Sequence, residues 1–342
     1  MENCLNYKMF NQKPIMNIFL TGATGFIGSH LLQTLTNSHH MVYCLVRNNK
    51  QAKTITSLGG IPIIGNLKNL KEKNLPKKID LVYHLAAIRS RWGTSWKEYY
   101  QTNVLGTNRL LDYAKRTKIG KFIFCSTVGV NWRSSERPIS ESSDAIIPKN
   151  ELYHRSKKEA EKIIEAYGKD VNITIVRPGL VYGPGDDGFF AKLLDLANHK
   201  RIILVNGGEN LIQLIYVKDL VDGFLLFTNK KNWEISRQKT YIFNGERPIK
   251  FKKLVQLIEK ESRLKDTSYS VPKIPLLLVA LIFENLCHFF PLLLLGKNEP
   301  IITPSKVDLI SYNCFYTIAR AKKDLGFRPK IPYKKGVKLT IK

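Results

Sequence analysis

Acidic residues are scarce in this chain. There are 28 Asp and Glu against 54 Lys and Arg in 342 residues, a formal net charge of +26. Such an imbalance raises nucleic acid as a partner. The lysines, however, are spread along the whole chain with no aromatic-interleaved basic cluster, so no nucleic acid is expected, while an anionic membrane surface stays open as a peripheral partner. Cysteine is sparse too. Cys4, Cys44, Cys125, Cys287 and Cys314 show neither paired nor metal-ligand spacing. That excludes a disulfide framework and a structural zinc, leaves no metal to expect, and points to a reducing compartment, the cytoplasm. No clean apolar run of ~18 residues exists. The most apolar stretch, Ile274–Leu295, is broken by Glu284, Asn285, His288 and Pro291. It reads either as a buried helix or as an interfacial surface beside a substrate entrance. The N-terminus carries Glu2, Asn3, Asn6 and Asn11 and lacks a signal-peptide apolar run. No internal repeat is visible.

What is present begins at Asn17, where an apolar run enters Thr21-Gly-Ala-Thr-Gly-Phe-Ile-Gly28. Gly22, Gly25 and Gly28 lie three apart, and His30, Leu31, Leu32 and Leu35 follow at helical spacing. The pattern predicts a strand, a tight glycine turn and a helix N-terminus. There glycines let the backbone approach a pyrophosphate and the free first-turn amides point at it. The plain alternative is a turn that needs positive φ and binds nothing.

Apolar runs and helical patterns alternate, which argues for an α/β fold with a doubly wound parallel sheet covered on both faces. Strands are expected at Ile15–Thr21, Met41–Val46, Ile61–Ile64, Leu81–Leu85, Lys121–Cys125 and Asn172–Arg177, and helices beginning near Gly25, Ser95 and Asn150. The regular alternation weakens after Arg177, and Gly183-Pro-Gly-Asp-Asp-Gly188 opens a stretch of shorter, mixed elements. The division expected is an extension over 1–14, a dinucleotide-binding domain over 15–180 with 213–228 returning to it, and a substrate lobe over 181–342 that includes 274–295.

Three groups carry chemistry. Arg47 follows the second strand with Lys50 and Lys53 near it. An arginine there accommodates a 2′-phosphate, which favours NADP and leaves NAD open; an exposed arginine without a role is the plain alternative. Tyr153 and Lys157 lie four apart, on one face of a predicted helix. An ammonium near a phenol lowers its pKa and makes the tyrosine an acid or base near neutral pH. Taken alone, the pair reads first as part of an ion-pairing surface helix, and the motifs around it change that weighting. Ser126 and Thr127 end the strand Phe122-Ile-Phe-Cys-Ser-Thr127 at the carboxyl edge of a parallel sheet, which faces the ligand crevice.

Together these motifs resemble the extended short-chain dehydrogenase/reductase family. Further likenesses are Gly65-Asn-Leu67, His84-Leu-Ala-Ala87, Asn103-Val-Leu-Gly-Thr107, Arg177-Pro-Gly-Leu-Val-Tyr-Gly-Pro-Gly185, Tyr216-Val-Lys-Asp219, Phe243-Asn-Gly-Glu246 and Leu325-Gly-Phe327. Asn66 stands where the family usually has Asp. The resemblance implies a Rossmann fold and a nicotinamide cofactor held by Gly22, Thr24, Gly25, Phe26, Ile27, Gly28, Arg47, Asn66, Leu67, Leu85, Ala86, Ala87, Tyr153, Lys157, Pro178 and Gly179. It implies catalysis by Thr127, Tyr153 and Lys157, with Asn103 supporting a proton-relay water.

Nucleotide-sugar members usually carry an arginine shortly before Tyr-Val-x-Asp to neutralise a diphosphate. Here Ile212 occupies that place, and the Gly-Glu-Asn run before it resembles the 3β-hydroxysteroid dehydrogenase and dihydroflavonol reductase branches. The resulting expectation is a hydride-transferring oxidoreductase acting on a secondary alcohol or ketone of a hydrophobic, sterol- or terpenoid-like molecule. Two alternatives stay open: a nucleotide-sugar epimerase or dehydratase with tightly bound NAD, and a catalytically silent nucleotide-binding regulator. A homodimer also stays open.

Overall fold

The computed structural model describes residues 15–70, 74–89, 92–131, 135–143, 145–290 and 300–341. Its centre is a seven-stranded, wholly parallel sheet. The strands are β1 (Asn17–Thr21), β2 (Met41–Val46), β3 (Ile61–Ile64), β4 (Leu81–His84), β5 (Lys121–Cys125) and β6 (Ile173–Pro178), with Lys239–Phe243 as the seventh. The last lies beside β6, and the order continues β5, β4, β1, β2, β3. β1 pairs with β2 and β4, so that Thr21 stands opposite both Leu45 and His84. All six strands anticipated from apolar runs are present, with ends shifted by a residue or two. The first begins at Asn17, not Ile15: Ile15 is exposed, and the Asn17 amide donates to Asp80 Oδ2. The seventh strand was not anticipated. It follows the irregular second region, where no alternation points back to the sheet, yet it runs in register with β6 (Tyr241 opposite Val176).

β4, β5 and β6 are buried along their whole length, as continuous apolar runs covered on both faces must be. On one face the core gathers Leu31, Leu35, Ile215, Val217, Phe224 and Tyr241. On the other it gathers Phe19, Leu110, Leu111, Phe122 and Ile164. The helices α1 (Phe26–Asn37), α2 (Asn49–Ser57), α3 (Trp96–Tyr99) and α4 (Leu105–Arg116) flank the sheet. α3 begins with a capping box between Ser95 and Glu98 and runs into a π-helical turn over Tyr100–Val104. α5 (Leu152–Ala166) buries Ser156, Lys157, Ala160, Glu161 and Ile164, so its inner face is partly polar.

Beyond Leu180 a third core forms away from the sheet, with Tyr182, Phe190, Leu214, Phe251 and Leu254 at its centre. Part of the most apolar stretch forms the helix Lys273–Phe289, while 291–299 lie outside the described residues. This helix buries only Leu276, Ala280 and Cys287. Ile274, Leu278, Leu281, Ile282 and Phe289 lie on the opposite face and are exposed, Phe289 to 78%. The reading of this segment as a wholly buried helix is therefore not what the fold adopts. No helix among the described residues is long and apolar enough to cross a membrane.

Candidate active site

The glycine turn is built by close approaches. Gly22 has φ +79°, and a Cβ there would lie 2.7 Å from the Ala86 amide nitrogen. A Cβ on Gly28 would fall 2.0 Å from the Gly22 carbonyl oxygen. Both positions therefore require glycine, one for conformation and contact, the other because α1 crosses directly over the loop. The Gly25 amide donates to Gly22 O (3.0 Å) and Gly25 caps α1 with no side-chain bond. Thr24 and Gly25 are exposed, and Phe26 and Ile27 half-buried. The first turn of α1 is thus an open set of amide donors, suited to an anion.

Beside it, the end of β4 supplies a floor. Leu85 N donates to Thr21 O (3.1 Å) and Ala86 N to Thr21 Oγ1 (3.2 Å), which leaves Leu85, Ala86 and Ala87 half-buried against the glycine turn. Arg47 is exposed after β2, and its backbone amide donates to Gln51 Oε1. Asn66 is exposed and caps the Asn69 amide (2.9 Å). The Leu67 side chain is buried against Gly106, and its carbonyl accepts from Arg109, so Leu67 packs the sheet onto α4.

α5 carries Tyr153 and Lys157. Tyr153 is half-buried in the first turn. Burial holds its phenol well above the usual tyrosine range, and the Arg89 guanidinium opposes that shift. Lys157 is almost wholly buried, with Nζ 4.0 Å from the centre of the Phe124 ring. Burial brings its pKa down to about 8, while Cys125 and Glu161 pull it back up. The expectation that Lys157 depresses the Tyr153 pKa is corrected here: the ammonium sits over an aromatic ring and dehydration of the phenol dominates. Thr127 is half-buried at the end of β5, and its hydroxyl accepts from the Gly129 amide (3.1 Å). The neighbouring Ser126 hydroxyl is buried and has no hydrogen-bond partner among the described residues.

Asn103 is fully engaged. Its Nδ2 donates to Ile88 O (2.9 Å) and Ser156 Oγ (2.9 Å), and its Oδ1 accepts from the Ile88 amide (2.8 Å). These bonds tie Asn103 to the segment after β4 and to α5, so it braces the two against each other. Pro178 is buried at the end of β6. Gly179 N donates to Phe243 O, and a Cβ on Gly179 would strike Asn244 Oδ1 at 2.2 Å. Arg177 is buried and bidentate to Glu161 of α5 (2.9 and 2.7 Å), with a further arm on Asn131 Oδ1. This clamp holds α5 against β6. Glu161 was not singled out from the sequence, although the spacing 153, 157, 161 puts it on the same helical face.

Two more contacts involve the segment after β4. Arg89 pairs with Asp187 (2.6 Å), joining the segment after β4 to the loop that follows Gly183. The Trp92 ring meets the His288 ring at a tilt of 33°, with centroids 4.4 Å apart, so the C-terminal end of the apolar helix reaches the chain after β4. Ile212 is buried and strand-paired to Ile249, and no cation stands at that position.

The family described as NAD dependent epimerase/dehydratase matches residues 18–240. A 4-hydroxy-2-methyl-3-oxo-4-farnesyl-3,4-dihydroquinoline-1-oxide ketoreductase of Stigmatella aurantiaca is 25% identical over 327 residues, 94% of this chain and 95% of that protein. A 3-beta-hydroxysteroid dehydrogenase of Mycolicibacterium neoaurum is 26% identical over 338 residues, 91% and 87% of the two chains. The crystal structure of UDP-glucuronic acid 4-epimerase from Bacillus cereus in complex with NAD shares the fold. It has a TM-score of 0.74 and 24% identity, covering 95% of this chain and 97% of that one.

Proposed function

The chain belongs to the NAD-dependent epimerase/dehydratase family, and from that premise we propose that it moves a hydride between a nicotinamide cofactor and a secondary alcohol or ketone of a hydrophobic, sterol- or terpenoid-like molecule. The observation that carries this is the seat of Lys157, whose Nζ lies over Phe124 at the carboxyl end of β5, with Tyr153 one turn earlier on the same helix and Thr127 two residues past the strand. The cradle formed by Gly22 and Gly28, where any Cβ would collide with backbone, fits a bound dinucleotide. When bound, the nicotinamide supplies or accepts the hydride.

The residues of the chain do the rest. The Tyr153 hydroxyl gives a proton to the substrate oxygen in reduction and takes it back in oxidation. The Thr127 hydroxyl orients that oxygen. Lys157 places a dehydrated cation behind the phenol and beside the cofactor ribose. Arg47 meets a 2′-phosphate, so NADPH is favoured over NADH. Ile212 leaves a sugar-nucleotide diphosphate without its cation, which weighs against an epimerase. The exposed apolar face of Lys273–Phe289 supports a lipophilic substrate collected from an anionic membrane surface, since its end reaches the chain after β4. A screen of purified protein with NADPH and NADH against a sterol ketone, a terpenoid ketone and a UDP-sugar tests the reading. Cofactor oxidation with either ketone is expected; turnover with the UDP-sugar alone overturns it.

A further inference from the structure

His84 has no exposed surface and stands at the end of β4, opposite Thr21. The hydrogen bonds around it assign every proton. Thr107 Oγ1 donates to Asn103 O (2.6 Å) and so has no proton left for the ring. It accepts from His84 Nε2 (3.0 Å), which therefore carries the hydrogen. Nδ1 is then bare and accepts from Thr21 Oγ1 (2.7 Å), while that same oxygen accepts from the Ala86 amide (3.2 Å). A doubly protonated ring would leave the Thr21 hydroxyl proton without an acceptor. Burial and the nearby Lys157 charge also hold the ring's pKa well below the usual histidine value.

The chain does not stop at Thr107. Asn103, whose carbonyl receives the Thr107 hydroxyl, holds Ile88 by both backbone groups and donates to Ser156 Oγ. Ser156 Oγ in turn donates to Tyr153 O (2.7 Å). The links thus run from the residue before Gly22, through the centre of the sheet, to the first turn of α5. The π-helical turn over Tyr100–Val104 carries Asn103 into this line.

We propose that His84, locked as the neutral Nε2–H tautomer, is a positioning residue that sets the glycine turn and the Tyr153 turn relative to each other. The proposal rests on the reading that the first turn holds the cofactor and the second the proton donor. A protonated or tautomerised ring would turn Thr21 and Ala86, the two groups that shape Gly22. Thr107→Val would break the line without touching either end.

The test uses the full chain labelled with ¹⁵N-histidine. Ring nitrogen shifts are followed from about pH 5 to about pH 8, the range of an ordinary imidazole, and His84 is identified by the signal lost in His84→Gln. One ring with a bare Nδ1, a protonated Nε2 and no titration is expected. An Nδ1–H tautomer or a titrating ring overturns the proposal. In parallel, NADPH and NADH affinities are measured by nicotinamide fluorescence. Thr107→Val should weaken the better cofactor about tenfold, within the cost of misplacing a binding group, and Thr107→Ser should restore it. Parent-like affinity in a folded Thr107→Val overturns the positioning role. A parent that binds neither cofactor removes the functional reading, and the premise with it, whatever the ring spectrum shows.

Discussion

Two lysines are buried in the sheet core, one at each edge. Lys121 opens β5 at the amino edge, and its Nζ donates to Asn172 Oδ1 (2.7 Å) and Trp233 O (3.1 Å). Lys157 lies at the carboxyl edge, where its Nζ faces the Phe124 ring at 4.0 Å. Burial lowers both pKa values, to about 7 and about 8. At the amino edge the dehydrated ammonium is given oxygen acceptors; at the carboxyl edge the Lys157 ammonium faces an aromatic ring, and the Ser126 hydroxyl just past β5 is buried with no partner among the described residues. Buried polar groups are normally satisfied, and the exceptions mark places where something else completes the set. The contrast teaches that one edge of this sheet is finished as structure and the other is held ready for a ligand.

The largest expected effect tests the ready edge directly. If Tyr153 is the proton donor, Tyr153→Phe should lower turnover ~10²–10⁴-fold. Cofactor affinity should stay near that of the parent. Turnover within threefold would remove Tyr153 from the mechanism. Next comes the clamp behind it. Glu161→Leu leaves the Arg177 guanidinium buried with its carboxylate gone, a loss of about 3–5 kcal/mol in unfolding stability. Urea denaturation reads that loss. A change below about 1 kcal/mol would mean that Asn131 and the Glu141 carbonyl suffice for Arg177.

The lysine comparison itself is broken or sharpened by pH. A lysine with a lower pKa folded than unfolded binds fewer protons in the native state, so stability rises with pH between the two values. For Lys157 that interval starts at about 8 and runs toward 10.5. The burial penalty is fully present below pH 8 and fades as the pH climbs toward 10, where the buried tyrosines begin to oppose it. At about 1.4 kcal/mol per pH unit the penalty reaches roughly 3 kcal/mol. Lys157→Met should therefore be more stable than the parent at pH 7 and lose that advantage near pH 10, while being inactive. Lys121→Met relieves a larger penalty by the same arithmetic, since burial brings that pKa to about 7, but it strips the donor from Asn172 Oδ1 and Trp233 O, so its gain should fall short of its own shift while that of Lys157→Met should not. A Lys121→Met gain as large as its own shift would erase the distinction between the edges.

How much of this was legible beforehand follows the same divide. Gly22 and Gly28 announce their contacts because only glycine survives a Cβ inside van der Waals range. Six strands were visible because a strand covered on both faces must be a continuous apolar run. Tyr153 and Lys157 were visible through helical spacing. The bracing role of Asn103 was not, because it depends on where Ile88 and Ser156 arrive in space, and neither lies near it in the chain. The same holds for the Glu161–Arg177 clamp and for the seventh strand. The helix Lys273–Phe289 was legible as apolar but not as exposed, since periodicity cannot tell which neighbours cover a face.

Cofactor choice gives a smaller effect. If Arg47 meets a 2′-phosphate, a charge-assisted bond of ~1.5–3 kcal/mol separates NADPH from NADH. Arg47→Asp should then reverse the order in a titration with both cofactors. Equal affinities in the parent would leave Arg47 as a solvated surface charge.

The smallest increments are expected at the apolar helix, where they act in parallel. Ile274, Leu278, Leu281, Ile282 and Phe289 share one exposed face, opposite Leu276, Ala280 and Cys287. Lys273 at its start is already engaged by Asp308 (3.4 Å) and the Tyr312 ring, and Lys297 lies outside the described residues. Attraction to an anionic surface must then come from the overall charge of +26 and from exposed lysines elsewhere, such as Lys334, Lys335 and Lys338. Near such a surface each lysine contributes ~1 kcal/mol, screened by salt. Each apolar side chain entering the acyl boundary adds roughly 0.3–0.6 kcal/mol. Sedimentation with anionic vesicles should show binding that weakens as salt rises. Leu278→Ser with Ile282→Ser should weaken it further at every salt concentration. Binding that depends on salt alone, unmoved by the two serines, would make the charge the whole attraction and leave the apolar face to another occupant. In the same vesicles, a sterol ketone dissolved in the bilayer should be reduced faster than one held in detergent. The Trp92–His288 ring contact puts the end of this helix close in the chain to Ile88 and Arg89, which Asn103 and Asp187 hold.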